Sequence, residues 1–191
     1  MPITATATSL PGALLLQPRA FPDDRGFFCE TYRANELSAL GIDEAFVQDN
    51  HSRSTRGVLR GLHFAIGEGS SKLVRCGRGR IWDVIVDLRA GSPTYGKWEG
   101  FELTDENMHV LYVPVGFGHG FCVLSDVADT LYKQSAYYDT AVERGIAWND
   151  PDVAVQWPLP AEEIVVSERD TTAPRLAEIA AELPFVFQPA G

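Results

Sequence analysis

The run Gly57-Val58-Leu59-Arg60-Gly61-Leu62-His63-Phe64 places a histidine at the end of a glycine-flanked strand, three residues after an arginine. Lys72-Leu73-Val74-Arg75-Cys76 follows it closely. Within about one β-hairpin the chain therefore offers a group that titrates near neutral pH and fixed cations for an anionic ligand. An imidazole of ordinary pKa, about 6.5, suits removal of a proton from carbon beside a ketone. Such a base needs a carboxylate to hold its tautomer and stabilise its cation. Asp170 and Asp83 are candidates, and either is equally a turn or strand-edge acid. Taken alone, a strand histidine is more often a hydrogen-bonded structural residue.

Other residues extend the chemistry. Lys72 opens an apolar strand after the loop Gly67–Ser71. In solvent it is an ordinary surface lysine; inside a pocket it would stabilise an enolate. His119 stands between Gly118 and Gly120, where glycine permits either a tight turn or close approach of a ligand. Tyr132 is a packing residue or, beside cations, a proton donor with an ordinary pKa near 10. Tyr137 and Tyr138 would stack on a base or cover the core. Arg25 and Arg60 suit bidentate phosphate contacts, and Gln48-Asp49-Asn50 suits a pyrimidine edge, a ribose or a plain polar turn. The four histidines (His51, His63, His109, His119) are widely separated, so a metal site built on His51, His63 and His119 is geometrically possible but has weak support.

These residues must be positioned by strands. Strands are predicted at Ala13–Leu16 and Gly26–Tyr32, around the turn Pro22-Asp23-Asp24-Arg25, and near Ala45–Gln48, Val58–Phe64, Lys72–Cys76 and Gly79–Asp87. More follow at Trp98–Leu103, Val110–Val113, Phe121–Leu124 and Asp129–Ser135, with a piece near Ile146. In Ile81–Leu88, Trp82, Val84 and Val86 share one face, and Ile81, Asp83, Ile85 and Asp87 the other. Short helices are predicted over Ala34–Leu40, closed by Gly41, and over Pro174–Leu183, capped by Thr172 and stopped by Pro184. Many short strands with few helices indicate an all-β jelly-roll sandwich or barrel with a pocket at its mouth.

The chain has 191 residues, 45% of them hydrophobic, which suits a single domain over residues 1–191. Its net charge of −10 argues against nucleic acid. Yet His51–Arg80 carries seven Arg or Lys against one acid, Glu68, which marks a local anion site or a solvated face. The three cysteines are widely spaced and form no CxxC, as expected of thiols in a reducing compartment. With no leader-like start and no apolar run near 20 residues, a soluble, cytoplasmic protein with no membrane partner is expected.

Taken together the segments resemble the dTDP-4-dehydrorhamnose 3,5-epimerase (RmlC) family. The matching pieces are Asp24–Phe28, Phe46–Ser52, Gly57–His63, Lys72–Cys76, Gly116–Phe121, Tyr132-Lys133, Asp150-Pro151, Trp157-Pro158 and Ser167–Asp170, ordered across about Leu14 to Asp170. The resemblance implies a cupin-like jelly roll without metal or other cofactor, forming a homodimer that exchanges N-terminal strands. It implies His63 as catalytic base, Asp170 as its orienting carboxylate and Tyr132 as the acid on the other face of the sugar. Lys72 and His119 match positions around the sugar and its developing oxyanion. Arg60 and Arg25 match diphosphate grips, Arg25 reaching from the partner. Phe27, Glu30, Gln48, Asp49, Asn50 and Tyr138 match nucleotide or substrate contacts, as do Glu143 and Arg169 nearer the sugar. The implied activity inverts C3 and C5 of dTDP-4-dehydro-6-deoxy-D-glucose. Relatives commonly carry Tyr-Gln after the histidine and Gln shortly before the lysine, where this chain has Phe64-Ala65-Ile66 and Ser70-Ser71. That departure keeps a single-site epimerase of another nucleotide-linked 4-ketosugar as an alternative. A silent sugar-nucleotide binder and a metal-dependent cupin are the remaining alternatives.

Overall fold

The computed structural model describes residues 3–189. In chain order they form β1 (Thr4–Ala7), β2 (Leu14–Gln17), β3 (Ala20–Asp23), β4 (Gly26–Cys29) and helix α1 (Ala34–Ser38). Next come β5 (Gln48–Thr55), β6 (Leu59–Ala65), β7 (Lys72–Arg78), β8 (Arg80–Asp87), β9 (Trp98–Thr104) and β10 (Val110–Val113). β11 (Phe117–Val123), β12 (Val127–Gln134), β13 (Glu143–Gly145), α2 (Glu168–Thr171) and α3 (Leu176–Ile179) complete the set, with short 3-10 turns at Ala161–Glu163 and Ala180–Glu182.

One antiparallel sheet has the order β1-β2-β10-β7-β12-β5 and a second the order β13-β6-β11-β8-β9. From β7 to β12 the chain passes repeatedly from one sheet to the other, which makes the cupin-like jelly roll. β3 and β4 form a hairpin outside both sheets. Between the sheets Ile81, Ile85, Phe117, Phe121 and Val123 meet Val74, Cys76, Leu111, Val113 and Ala128. Trp82, Val84 and Val86 point the other way, under Leu62, Phe64, Ile146, Val153, Leu176 and Phe185. β8 is thus covered on both faces, as its continuous apolar run requires, and its two predicted faces are the observed ones. Among the described residues no helix is long and apolar enough to cross a membrane.

Several elements differ from expectation. The strand predicted at Ala45–Gln48 begins where that segment ends, because the observed β5, Gln48–Thr55, is almost wholly polar. It is an edge strand, paired along its full length with β12, and one of its faces is a ladder of hydrogen-bonding side chains that no apolar alternation reveals. β4 ends at Cys29 rather than Tyr32 and pairs with β3, so Ala20–Asp23 is a strand and the turn narrows to Asp24-Arg25. The Asp23 side chain accepts the Arg25 N–H and fixes that turn. β11 starts at Phe117, four residues earlier than predicted, because its glycines serve close packing and no turn forms there. The C-terminal helix shrinks to Leu176–Ile179, with Glu178 accepting the Arg175 N–H, while Thr172 ends α2 instead of capping α3. β1 lacked any sequence signal that separated it from loop, and α2 is too short to show helical periodicity. By contrast α1 ends as expected: Gly41 adopts φ +81°, Ile42 N–H reaches the Leu37 carbonyl, and the two side chains pack together.

Candidate active site

The site begins with an irregularity in β6. His63 pairs with His119 and Arg60 with Phe121, so two residues of β6, Gly61 and Leu62, face one of β11, Gly120. The extra residue makes a β-bulge. Gly61 occupies it at φ +138°, and a Cβ there would lie 2.4 Å from the Gly120 Cα. Two facing glycines therefore let the backbones of β6 and β11 touch. The bulge also breaks the strand's alternation. Plain alternation would set Arg60 and His63 on opposite faces of β6; the bulge lets both line one cavity, whose wall Leu59, packed against Cys122 and Leu124, also joins.

That cavity, about 430 Å³, opens between the two sheets. Arg60, His63, Lys72, His119, Tyr132, Tyr138, Glu143, Arg169 and Asp170 all line it. His63 and His119 come from the five-stranded sheet, Lys72 and Tyr132 from the six-stranded sheet. An imidazole and a phenol thus stand on opposing walls of one chamber.

Both carboxylates suggested for His63 hold a histidine, and they hold different ones. Asp170 Oδ1 lies 2.6 Å from His63 Nε2. Both oxygens of Asp83, fully buried on β8, lie 3.0 Å from His119 Nε2. Burial pushes the Asp170 carboxyl up, but hydrogen bonding to His63, the charge of that ring, the Ser167 hydroxyl and the Gly61 N–H outweigh it, so its pKa falls. Asp170 is therefore ionised at neutral pH. With its Nε2 engaged, His63 leaves Nδ1 as its acceptor.

Lys72 is buried, and desolvation pulls its pKa down against the fields of Glu143 and Asp83. Its Nζ lies 3.5 Å from the His63 carbonyl. Burial, with Glu143 and Tyr138 nearby, pushes the Tyr132 phenol up against the opposing field of Arg60, so Tyr132 carries its proton at neutral pH. Arg169 reaches to 3.9 Å from Glu143.

The nucleotide-type residues fall into two groups. Gln48 and Asn50 donate to Gln134, which lines the cavity, and Gln48 accepts the Tyr138 N–H. They thus contact two residues of the chamber wall, Gln134 and Tyr138, without lining it themselves. Asp49 turns to the other face of β5 and pairs with Lys133 at 2.7 Å. Arg25 and Phe27 sit on the β3–β4 hairpin; the Arg25 side chain is 90% exposed and Phe27 also faces solvent. Glu30 follows that hairpin and pairs with Arg33 at 3.3 Å. His51 shares the outward face with Asp49 and contacts Asp129 at 3.4 Å, so the three-histidine site considered above does not form. Among the described residues no three His, Cys, Asp or Glu side chains converge as a metal would need.

Sequence reasoning missed Ser52, Gln134, Val166 and the role of Ser167 in the wall. Alternation would have found Gln134, two positions beyond Tyr132, and Ser52, two beyond Asn50. The Ser-x-x-Asp spacing before Asp170 is a helix-start signature. Phe64 and Ile66, which depart from the family's pattern, line a second cavity behind His63 and lie outside the front chamber.

The profile of the family described as dTDP-4-dehydrorhamnose 3,5-epimerase matches residues 7–178. The chain is 47% identical over 175 residues to the dTDP-4-dehydrorhamnose 3,5-epimerase of Pseudomonas aeruginosa, covering 91% of this chain and 96% of that one. It superposes with TM-score 0.94 and 42% identity on the Legionella pneumophila dTDP-6-deoxy-D-glucose-3,5-epimerase RmlC in complex with dTDP-4-keto-L-rhamnose, covering 98% of this chain and all of that one. It is also similar to ChmJ, a 3'-monoepimerase from Streptomyces bikiniensis in complex with dTDP-quinovose, at TM-score 0.86, 37% identity and coverage of 92% and 89%.

Proposed function

This chain belongs to the dTDP-4-dehydrorhamnose 3,5-epimerase family, and on that premise we propose a residue-level account of its reaction. The enzyme inverts C3 and C5 of dTDP-4-dehydro-6-deoxy-D-glucose, giving dTDP-4-dehydro-L-rhamnose. The C4 ketone acidifies the C–H bonds on either side of it. His63 takes the proton from one face, and Asp170 stabilises the imidazolium that forms. Charge moves to the C4 oxygen, where Lys72 and His119 supply hydrogen bonds. Tyr132 returns a proton from the opposite face, which inverts the carbon. Each inversion removes one proton and adds one, so it is redox-neutral and needs no redox cofactor.

The observation that carries this reading is one chamber with His63 and Tyr132 on opposing sheets and two further basic residues, Arg60 beside His63 and Lys72 on the Tyr132 sheet, in its wall. Arg60 grips the diphosphate. Tyr138, Gln48 and Asn50 hold the nucleotide at the mouth, Asp49 supports that edge, and Glu143 with Arg169 contacts the sugar end. Arg25, Phe27 and Glu30 act on a partner's chamber in a homodimer. The exposed hairpin that carries Arg25 and Phe27, detached from both sheets, supports that assembly. We read the 191 residues as one cytoplasmic domain, consistent with three free thiols and no CxxC.

The test is turnover in heavy water. Deuterium is expected at both C3 and C5, with the L-configured product. Label at C3 alone would move the chain to the mono-epimerase side of its family, where ChmJ stands. Tight binding with no label would leave a binder.

A further inference from the structure

The His63–Asp170 pair stands between two cavities. His63, Glu143, Arg169 and Asp170 line the front chamber, and the same four line a second space of about 280 Å³ behind it. The rest of that space is walled by Phe64 at the end of β6, Ile66 beyond it, the segment Thr172-Ala173-Pro174, and Ile179 and Leu183 near the C-terminus. Arg144, Thr172, Pro174 and Glu182 are exposed, so the space opens to solvent through residues that the front chamber does not share. Its volume holds several waters, at about 30 Å³ each. The carboxylates of Glu143, Asp170 and Glu182 and the hydroxyl of Thr172 offer those waters hydrogen bonds. Ala173, small and half-buried in the wall, leaves the space open.

The chemistry calls for such a space. Each inversion leaves His63 with one proton more and Tyr132 with one fewer. One base serves C3 and C5 in turn, so His63 must be unloaded while the sugar still fills the front chamber and keeps water from it. We propose that the rear cavity is the route by which His63 passes each abstracted proton to solvent within the bound complex. The imidazolium gives its proton to a water in the rear cavity and returns to the neutral base. Tyr132, on the opposing sheet, takes one proton from solvent in exchange, so protons and charge balance. Asp170 stays ionised and holds the ring between the two spaces, 2.6 Å from His63 Nε2. This rests on the reading of His63 as the base for both carbons.

The test fills the rear cavity and follows C3 and C5 separately by NMR in heavy water, from the first turnover onward. Ala173→Phe sets a ring into the space, Glu182→Trp narrows it from the exposed rim, and Ala173→Ser is the control of similar size. In the filled variants one carbon should invert at the wild-type rate, to about one equivalent per active site, and the second should lag about tenfold. Singly inverted sugar should accumulate, with dTDP affinity within about twofold of wild type. Ala173→Ser should match wild type at both carbons. Thermal melts run alongside, and if Ala173→Phe melts well below wild type then Glu182→Trp decides. Wild-type rates at both carbons in the deciding variant, or equal slowing of both steps, would overturn the proposal. Failure of the underlying reading looks different: label at a single carbon in the wild-type enzyme, or full exchange in His63→Asn.

Discussion

The chamber holds two histidine–aspartate pairs of like chemistry, supported in different ways. His119 and Asp83 sit on adjacent strands, β11 and β8, both nearly sealed from solvent. His63 keeps 24% of its side chain exposed, and its aspartate arrives on a one-turn helix from outside the sheets. The second arrangement suits a group that must gain and lose a proton in every cycle and needs a route for it. The first suits a group that meets developing charge without moving, where burial strengthens each interaction. On the proposed mechanism the same two side-chain types divide into a working base and a fixed electrostatic support, according to which backbone carries the carboxylate.

The largest expected effect tests the working pair. His63→Asn should lower exchange and epimerisation by about 10³–10⁴-fold while nucleotide affinity stays nearly intact, as for loss of a general base. Equal loss of binding, measured by calorimetry with dTDP, would make His63 a structural or ligand-contact residue.

Lys72 tests the fixed side. Lys72→Met should reduce kcat by about 10²-fold, the cost of one oxyanion donor. It should also raise thermal stability. The folded pKa of Lys72 is depressed below its ordinary value, so at neutral pH its buried charge opposes folding, and the opposition fades only as pH rises toward the unfolded value of 10.5. A lower melting temperature in the Met variant would contradict this.

The two aspartates sharpen the contrast. Asp83→Asn leaves His119 buried without its anion and should cost about 1–3 kcal/mol of stability. Asp170→Asn, beside a part-exposed ring, should cost less stability and mainly lower kcat. Equal melting shifts would erase the distinction drawn between the pairs.

The smallest effect lies in the acid limb of stability. Asp170 and Asp129 both have folded pKa values below the ordinary 3.8, Asp129 at about 2 through its hydrogen bond from Arg53. Their contributions are complete above that ordinary value and disappear as pH falls through the folded ones. Asp129→Asn should flatten the loss of stability between about pH 4 and pH 2, read by denaturant titration.

What the sequence could and could not disclose follows the same division. β8 was legible because its apolar run is buried on both faces, and β10 was read to its residue limits. β5 was not, because its inward face is Gln48, Asn50, Ser52 and Ser54, all polar, with Gln48 and Asn50 meeting their partner Gln134 on β12 and Ser54 accepting from Arg60 on β6. The shared face of Arg60 and His63 was hidden by one extra residue, which no periodicity can locate without the partner strand. His119 stayed undecided between a tight turn and a ligand position because the reason for Gly120, contact with Gly61, is tertiary. Asp170 was tied to His63 only by family resemblance, since 107 residues separate them and α2 has no periodic signal of its own.

The most direct test of acid and base on opposing walls is Tyr132→Phe in heavy water, scoring deuterium uptake at C3 and C5 separately from inversion. The account predicts continued uptake, because abstraction by His63 survives, with the inverted product falling far more than the exchange. Inversion at the wild-type rate, or loss of uptake and inversion in equal measure, would contradict it.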